Sequence, residues 1–139
     1  MADVTITNSD VLPSASAKLD YSSVGGETFS AGAWVYSDDG ELFLADADAS
    51  AVDSTKSVVF GMAVTDCLII GAPVVVATDG EVDVGSVVSQ GAPYALSGTA
   101  GKMCDIGDLA ANDWVTYLAT GVDGNTIKIS INSTLILFA

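Results

Sequence analysis

Apolar and polar residues alternate through much of this chain with a period of two. Val4 and Ile6 alternate with Thr5 and Thr7, Trp34 and Tyr36 with Val35 and Ser37, and Val82 and Val84 with Glu81 and Asp83. The cleanest run places Ile127, Ile129 and Ile131 against Thr126, Lys128 and Ser130. Successive side chains of a strand point to opposite faces, so each run predicts a half-buried strand. Residues 114–119 and 134–138 are apolar at both phases. That pattern predicts strands covered on both faces or seated at a subunit contact.

Turn chemistry agrees. Asp39-Gly40, Asp79-Gly80 and Asp123-Gly124 each join an apolar run to an alternating one. Asp-Gly readily supplies the positive φ that a tight hairpin needs, which predicts hairpins over 33–45, 73–84 and 115–131. The remaining glycines cut the chain into pieces too short for βαβ crossovers. The expected class is all-β: an antiparallel sandwich or small antiparallel barrel. Helix is expected only as a short helix or excursion loop over 45–57 and a single turn over 105–112. Residues 1–30 are rich in Ser, Thr and Asp, contain Pro13 and show one strand pattern at 3–8. They predict an extended N-terminal arm leading into a β-barrel domain over 31–139.

Composition narrows the function. At 139 residues the chain fits one domain. Half of it is apolar, which contradicts the signature of disordered acidic chains. Its 18 acidic residues face 4 lysines, with no arginine and no histidine, for a net charge of −14. Such a field repels phosphate, so no direct nucleic-acid partner is expected. Without histidine there is no Ser–His–Asp or Cys–His catalysis and no histidine-ligated zinc or haem. The longest near-apolar run, 67–77, is broken by Gly71 and Pro73. A spanning helix needs about 18–20 residues, so no membrane partner is expected. No basic stretch followed by an apolar one opens the chain, so no signal peptide is expected. Cys67 and Cys104 lie among apolar neighbours and read as small buried hydrophobes rather than a disulfide.

Catalytic patterns fail on inspection. Asp46, Asp48 and Ser50 begin like a calcium loop, but Ala51 stands where its glycine is needed and Ser57 where its bidentate glutamate is needed. The stretch reads as a solvated acidic loop. No lysine follows a serine by three residues, and no phosphate-binding or nucleophile-elbow motif occurs. Asn132-Ser133-Thr134 fits a glycosylation sequon by chance. No catalytic residue, metal or cofactor is expected, so the chain reads as a non-enzyme. The aromatic residues Trp34, Tyr36, Tyr94, Trp114 and Tyr117 fall in or beside predicted strands. Core and subunit-interface packing is the plainer expectation; a sugar-stacking face is the alternative.

Three segments carry a family resemblance. Residues 31–45 read AGAWVYSDDGELFLA, and residues 60–85 read FGMAVTDCLIIGAPVVVATDGEVDVG. Residues 90–131 contain GAPYALSGTAGKMCDIGDLAANDWVTYLATGVDG. The ordered patterns G-x-x-V-Y-x-D-x-G, G-x-A, G-x-P-V-x-V-x-x-x-G and G-x-x-Y-x-L-S-x-x-x-G-K resemble the capsid decoration (cement) proteins of tailed double-stranded DNA phages. The resemblance spans roughly 31–131 and leaves the first 30 residues uncovered. It implies a β-barrel or β-tulip-like domain on the outer surface of the virion, clamping neighbouring subunits of the major capsid protein. It also implies a homotrimer with no catalytic residues.

The residues fit that expectation independently, since an apolar, charge-poor chain suits a permanent assembly. Val4 and Ile6 are candidate apolar anchors of an arm that adds a strand to a neighbour. Trp34, Tyr36, Trp114 and Tyr117 are the other candidate capsid or subunit contacts. Two other functions compete: a carbohydrate- or receptor-binding domain of a head fibre or spike, and a small hydrolase using two aspartates. The first needs at least two exposed rings among Trp34, Tyr36, Tyr94 and Trp114. The second needs a cleft holding a carboxyl of raised pKa. The 15 aspartates are expected in turns and on the outward face, because unpaired burial is prohibitive.

Overall fold

In a computed structural model, the described residues are 3–50 and 53–138. The fold is nearly all-β, with 49% of the chain in strand and, among the described residues, no helix of seven or more residues. Eleven strands form it: β1 (Asp3–Val4), β2 (Leu12–Pro13), β3 (Lys18–Gly25), β4 (Trp34–Asp38), β5 (Glu41–Leu44) and β6 (Gly61–Ala63). They continue with β7 (Pro73–Asp83), β8 (Pro93–Leu96), β9 (Met103–Asp105), β10 (Trp114–Gly121) and β11 (Thr126–Leu137).

Two sheets share one long strand. β7 pairs with β3, β3 with β5, β5 with β4, β4 with β6, and β6 again with β7, so these pairings close on themselves. The other sheet is open and runs β1-β9-β8-β10-β11-β7, with β2 also on β7. The eleven strands therefore do not make one clean barrel. All pairings are antiparallel except β3 with β5, where Val24 meets Glu41 and Gly25 meets Leu42 in parallel register.

The core follows this division. Val35, Leu42, Ala63, Val74 and Val76, one or two from each of β4 to β7, pack with Phe29 and Cys67. A larger cluster joins Trp34, Met62 and Ala77 of the closed set to Val82, Leu96, Met103, Leu118, Ile127 and Ile129 of the open sheet. Trp34 and Val35 are both fully buried because the two faces of β4 serve different clusters.

Several expectations hold at this level. The hairpin over 33–45 forms between β4 and β5, from Val35 opposite Leu44 to Asp38 opposite Glu41. The 115–131 hairpin forms between β10 and β11. The two cysteines are free and buried. The expected helices shrink to 3-10 turns at Ser54–Ser57 and Ile106–Asp108, and residues 51 and 52 of the 45–57 stretch lie outside the described residues.

One expectation is overturned. Residues 73–83 form one strand of 11 residues, not a hairpin. Gly80 has the positive φ expected of a turn, but it marks the point where β7 passes from one sheet to the other. Val76 and Ala77 pair with β6, and Gly80 to Asp83 pair with β11. The described residues 3–30, expected as an extended arm, pair with the rest of the chain. β1 lies on β9, β2 on β7, and β3 on β7 and β5. β3 escaped the alternation pattern because its sequence, KLDYSSVG, is mostly polar and only two of its residues are buried.

Candidate interaction surfaces

Of the six candidate contact residues, Trp34 lies within the larger core cluster and Val4, Ile6, Tyr36 and Trp114 pack against it. Val4 sits opposite Met103 in the β1–β9 pair, and both Val4 and Ile6 pack against the larger core cluster. They line a cleft of about 230 Å3 with Phe29, Leu44, Lys102 and Met103. Ile6 also lies where a side chain on Gly32 would stand, 2.7 Å from its Cγ2. Their apolar surface is thus spent largely on their own chain.

Trp34 is fully buried, so it cannot touch a partner. Tyr36 is half-buried and stacks on Phe43, its cross-strand partner, with ring centroids 5.6 Å apart. Burial, with help from Glu27, Asp38 and Asp53, holds its hydroxyl pKa above the ordinary tyrosine value. Trp114 and Tyr117 are half-buried on β10, and the Tyr117 hydroxyl bonds the Thr120 hydroxyl. Tyr94 is buried, and its hydroxyl accepts from the Ser89 backbone N–H at 2.9 Å. None of the four rings that a sugar platform would need is exposed; Tyr21, which the alternation pattern passed over, is.

The aspartates have a structural use. Asp46, Asp48, Asp53, Asp83, Asp105 and Asp123 each accept a hydrogen bond from the backbone N–H two residues on. These are Asx turns, in which the side chain stands in for a backbone carbonyl. Hydroxyl donors hold the carboxyls of Asp48 (Ser50) and Asp53 (Thr55) below the ordinary range. Asp20 is lowered mainly by the Ser22 hydroxyl, and Asp123 mainly by the Asn125 N–H. The expectation of outward aspartates therefore holds, with one exception.

Asp113 is that exception. It is 4% exposed, forms an isolated bridge with Asp48, and accepts from the Ala110 N–H at 3.1 Å. Burial raises its pKa, and Asp48, Asp46 and Asp3 add to the rise. Burial likewise raises Asp46. Among the described residues no group of three or more histidine, cysteine or acidic side chains is placed to hold a metal.

The surface that stands out is apolar. Leu68, Ile69 and Ile70 are 80%, 72% and 64% exposed, three aliphatic side chains in succession on the turn between β6 and β7. Leu135, Ile136, Leu137 and Phe138 are also exposed, at the end of β11. Residues 129–138 contain no charged residue. Pairing of β11 with β7 stops at Ile129, so the outer edge of its second half has no ladder partner among the described residues. The sequence pattern marked 134–138 as a subunit-contact candidate. It gave no sign of the exposed turn, because a run of aliphatics reads as core. The only local clue was Gly71 with Pro73, which end the run.

Comparison with protein-family models, with curated proteins and with solved structures found no match for this chain. Among the described residues no helix is long and apolar enough to cross a membrane.

Proposed function

We propose that this chain is a capsid decoration (cement) protein. It binds the outer surface of a tailed-phage head and clamps neighbouring subunits of the major capsid protein, stabilising the expanded shell. We read the self-closing set of β3 to β7 as its small barrel and the open sheet as the tulip-like extension. The observation that supports this reading most is the uncovered apolar end of β11. Leu135, Ile136, Leu137 and Phe138 are exposed at the end of the uncharged second half of β11, whose outer edge has no ladder partner among the described residues. Contiguous exposed apolar surface on a small domain marks an interaction site. Here its freedom from charge suits contact with a second copy of a molecule whose net charge is −14, as a homotrimer requires.

The mechanism is mechanical. Each copy bridges two or more shell subunits, and weak contacts add through multivalency. A ligand that binds the expanded shell and not its precursor stabilises the expanded form by mass action. The acidic outward face keeps particles apart and repels released DNA. The burial or half-burial of Trp34, Tyr36, Tyr94 and Trp114 weighs against the sugar-binding alternative. The two-aspartate hydrolase is not favoured, since the carboxyls of raised pKa, Asp46 and Asp113, line neither the cleft beside Val4 and Ile6 nor the one formed by Lys18, Thr78 and Asp79.

The test is co-sedimentation with undecorated heads, both expanded and unexpanded. The reading requires saturable binding to expanded heads, at a fixed ratio to the major capsid protein, and weak binding to unexpanded ones.

A further inference from the structure

We propose that the turn carrying Leu68, Ile69 and Ile70 is a preformed anchor that inserts into an apolar socket rimmed by Lys or Arg on a protein partner. This rests on the decoration reading, under which the partner is the shell subunit.

The turn is fixed before any partner arrives. The Ala72 N–H donates to the Ile69 carbonyl at 3.0 Å, and Gly71 holds φ +92°. The Gly71 N–H donates to the Gly25 carbonyl at 2.8 Å, and the Gly25 N–H to the Ala72 carbonyl at 2.9 Å. Below it, Phe29 and Cys67 exchange both backbone hydrogen bonds, and the Cys67 thiol donates to the Ile69 carbonyl at 3.3 Å. Three aliphatic side chains held in water on a rigid backbone lose little conformational freedom on docking, which favours binding. Anchors of this kind, seated in desolvated pockets, dominate interface energetics.

Charge selects the occupant. The segments around the turn are residues 20–30, 39–44 and 61–76. They contain Asp20, Glu27, Asp39, Glu41 and Asp66, and no lysine. The four lysines lie elsewhere: Lys18 opposite Asp79, Lys128 opposite Glu81, Lys56 in the turn after Asp53, and Lys102 beside the cleft at Val4 and Ile6. An apolar knob in an acidic surround fits a socket with a basic rim. A second copy would bring like charge against like charge, and an anionic bilayer would repel the same surround.

The experiment compares the full chain with two variants on undecorated expanded heads at low and high salt. One variant is Leu68→Ser, Ile69→Ser, Ile70→Ser; the other is Glu41→Gln with Asp39→Asn, both exposed. Thermal melting first shows that each variant folds like the parent, as exposed positions predict. The serine variant is expected to lose at least about 100-fold in apparent affinity at both salt concentrations. The charge variant is expected to lose about 3- to 10-fold at low salt and to match the parent at high salt. Equal binding by the serine variant and the parent overturns the anchor. A charge variant indistinguishable at low salt overturns the basic rim. If the parent itself ignores expanded heads, the decoration reading fails and the anchor fails with it, an outcome distinct from parent binding with variant unchanged. Two further measurements can overturn the choice of occupant: turn-dependent self-association of the free chain in sedimentation equilibrium, and turn-dependent flotation with phosphatidylcholine vesicles.

Discussion

Gly80 lies against Ser16 so closely that a Cβ on it would stand 2.2 Å from the Ser16 carbonyl oxygen, and its φ is +86°. This contact ties the N-terminal segment to β7 at the point where that strand changes sheets. Gly80→Ala therefore combines left-handed strain with a clash against backbone that cannot move freely. The expected loss is about 3 kcal/mol or more. Gly40 has the same sign of φ (+83°) but open space around it, so Gly40→Ala is expected to cost only about 1 kcal/mol. Urea unfolding of both variants checks the contrast; equal losses would mean that the N-terminal segment does not hold this position.

Stability is expected to peak in mildly acidic solution. Asp46 and Asp113 have raised folded pKa values, so their contribution is most favourable below the unfolded value of about 4 and is lost as pH rises through the folded values. Asp20, Asp48, Asp53 and Asp123 have lowered values, so theirs is complete above about 4 and is lost as pH falls through the folded values. Tm measured from about pH 3 to 8 is expected to rise and then fall, with its maximum somewhat above the ordinary carboxylate pKa. Asp113→Asn keeps an acceptor for the Ala110 N–H and removes the charge, so it is expected to flatten the alkaline side alone. A Tm that climbs steadily to pH 8 would contradict this.

The cysteines are expected to be silent in the native state. Burial pushes the Cys104 thiol up to about 11, with Asp3, Asp108, Asp113 and Asp105 adding to the rise. Cys67 is 1% exposed. Thiolate is the reactive form, so an aromatic disulfide reagent at pH 8 is expected to titrate two thiols in denaturant and none rapidly without it. Fast native reaction at either cysteine would contradict the packing.

The end of β11 is expected to hold copies together. Ile136→Lys places a charge on an exposed apolar strand, and in sedimentation velocity it is expected to convert an oligomer to monomer without lowering the Tm of the monomer unit. A variant that sediments like the parent would remove this strand from the self-contact.

Much of the fold was legible in the sequence, and the exceptions share a cause. The β4–β5 and β10–β11 hairpins were readable because in each the Asp-Gly turn joins two strands that are consecutive in sequence. Asp79-Gly80 carries the same local signal, yet the partners of β7 on its two sides come from distant residues, so only tertiary pairing decides between turn and bend. β3 was invisible because its pairing is through backbone while its side chains are largely polar. Trp34 was read as a contact residue, but alternation shows which residues share a face and not whether both faces are covered. The exposed turn at 68–70 was hidden for the opposite reason, since hydropathy assigns aliphatic runs to the interior.

The central claim is that this chain reinforces an expanded shell, and heating tests it most directly. Expanded heads with and without bound chain are warmed under identical conditions, and rupture is followed by DNA release. The account predicts that decorated heads rupture at a distinctly higher temperature, with the gap widening as packaged genome length increases. Identical rupture temperatures at full occupancy would contradict it.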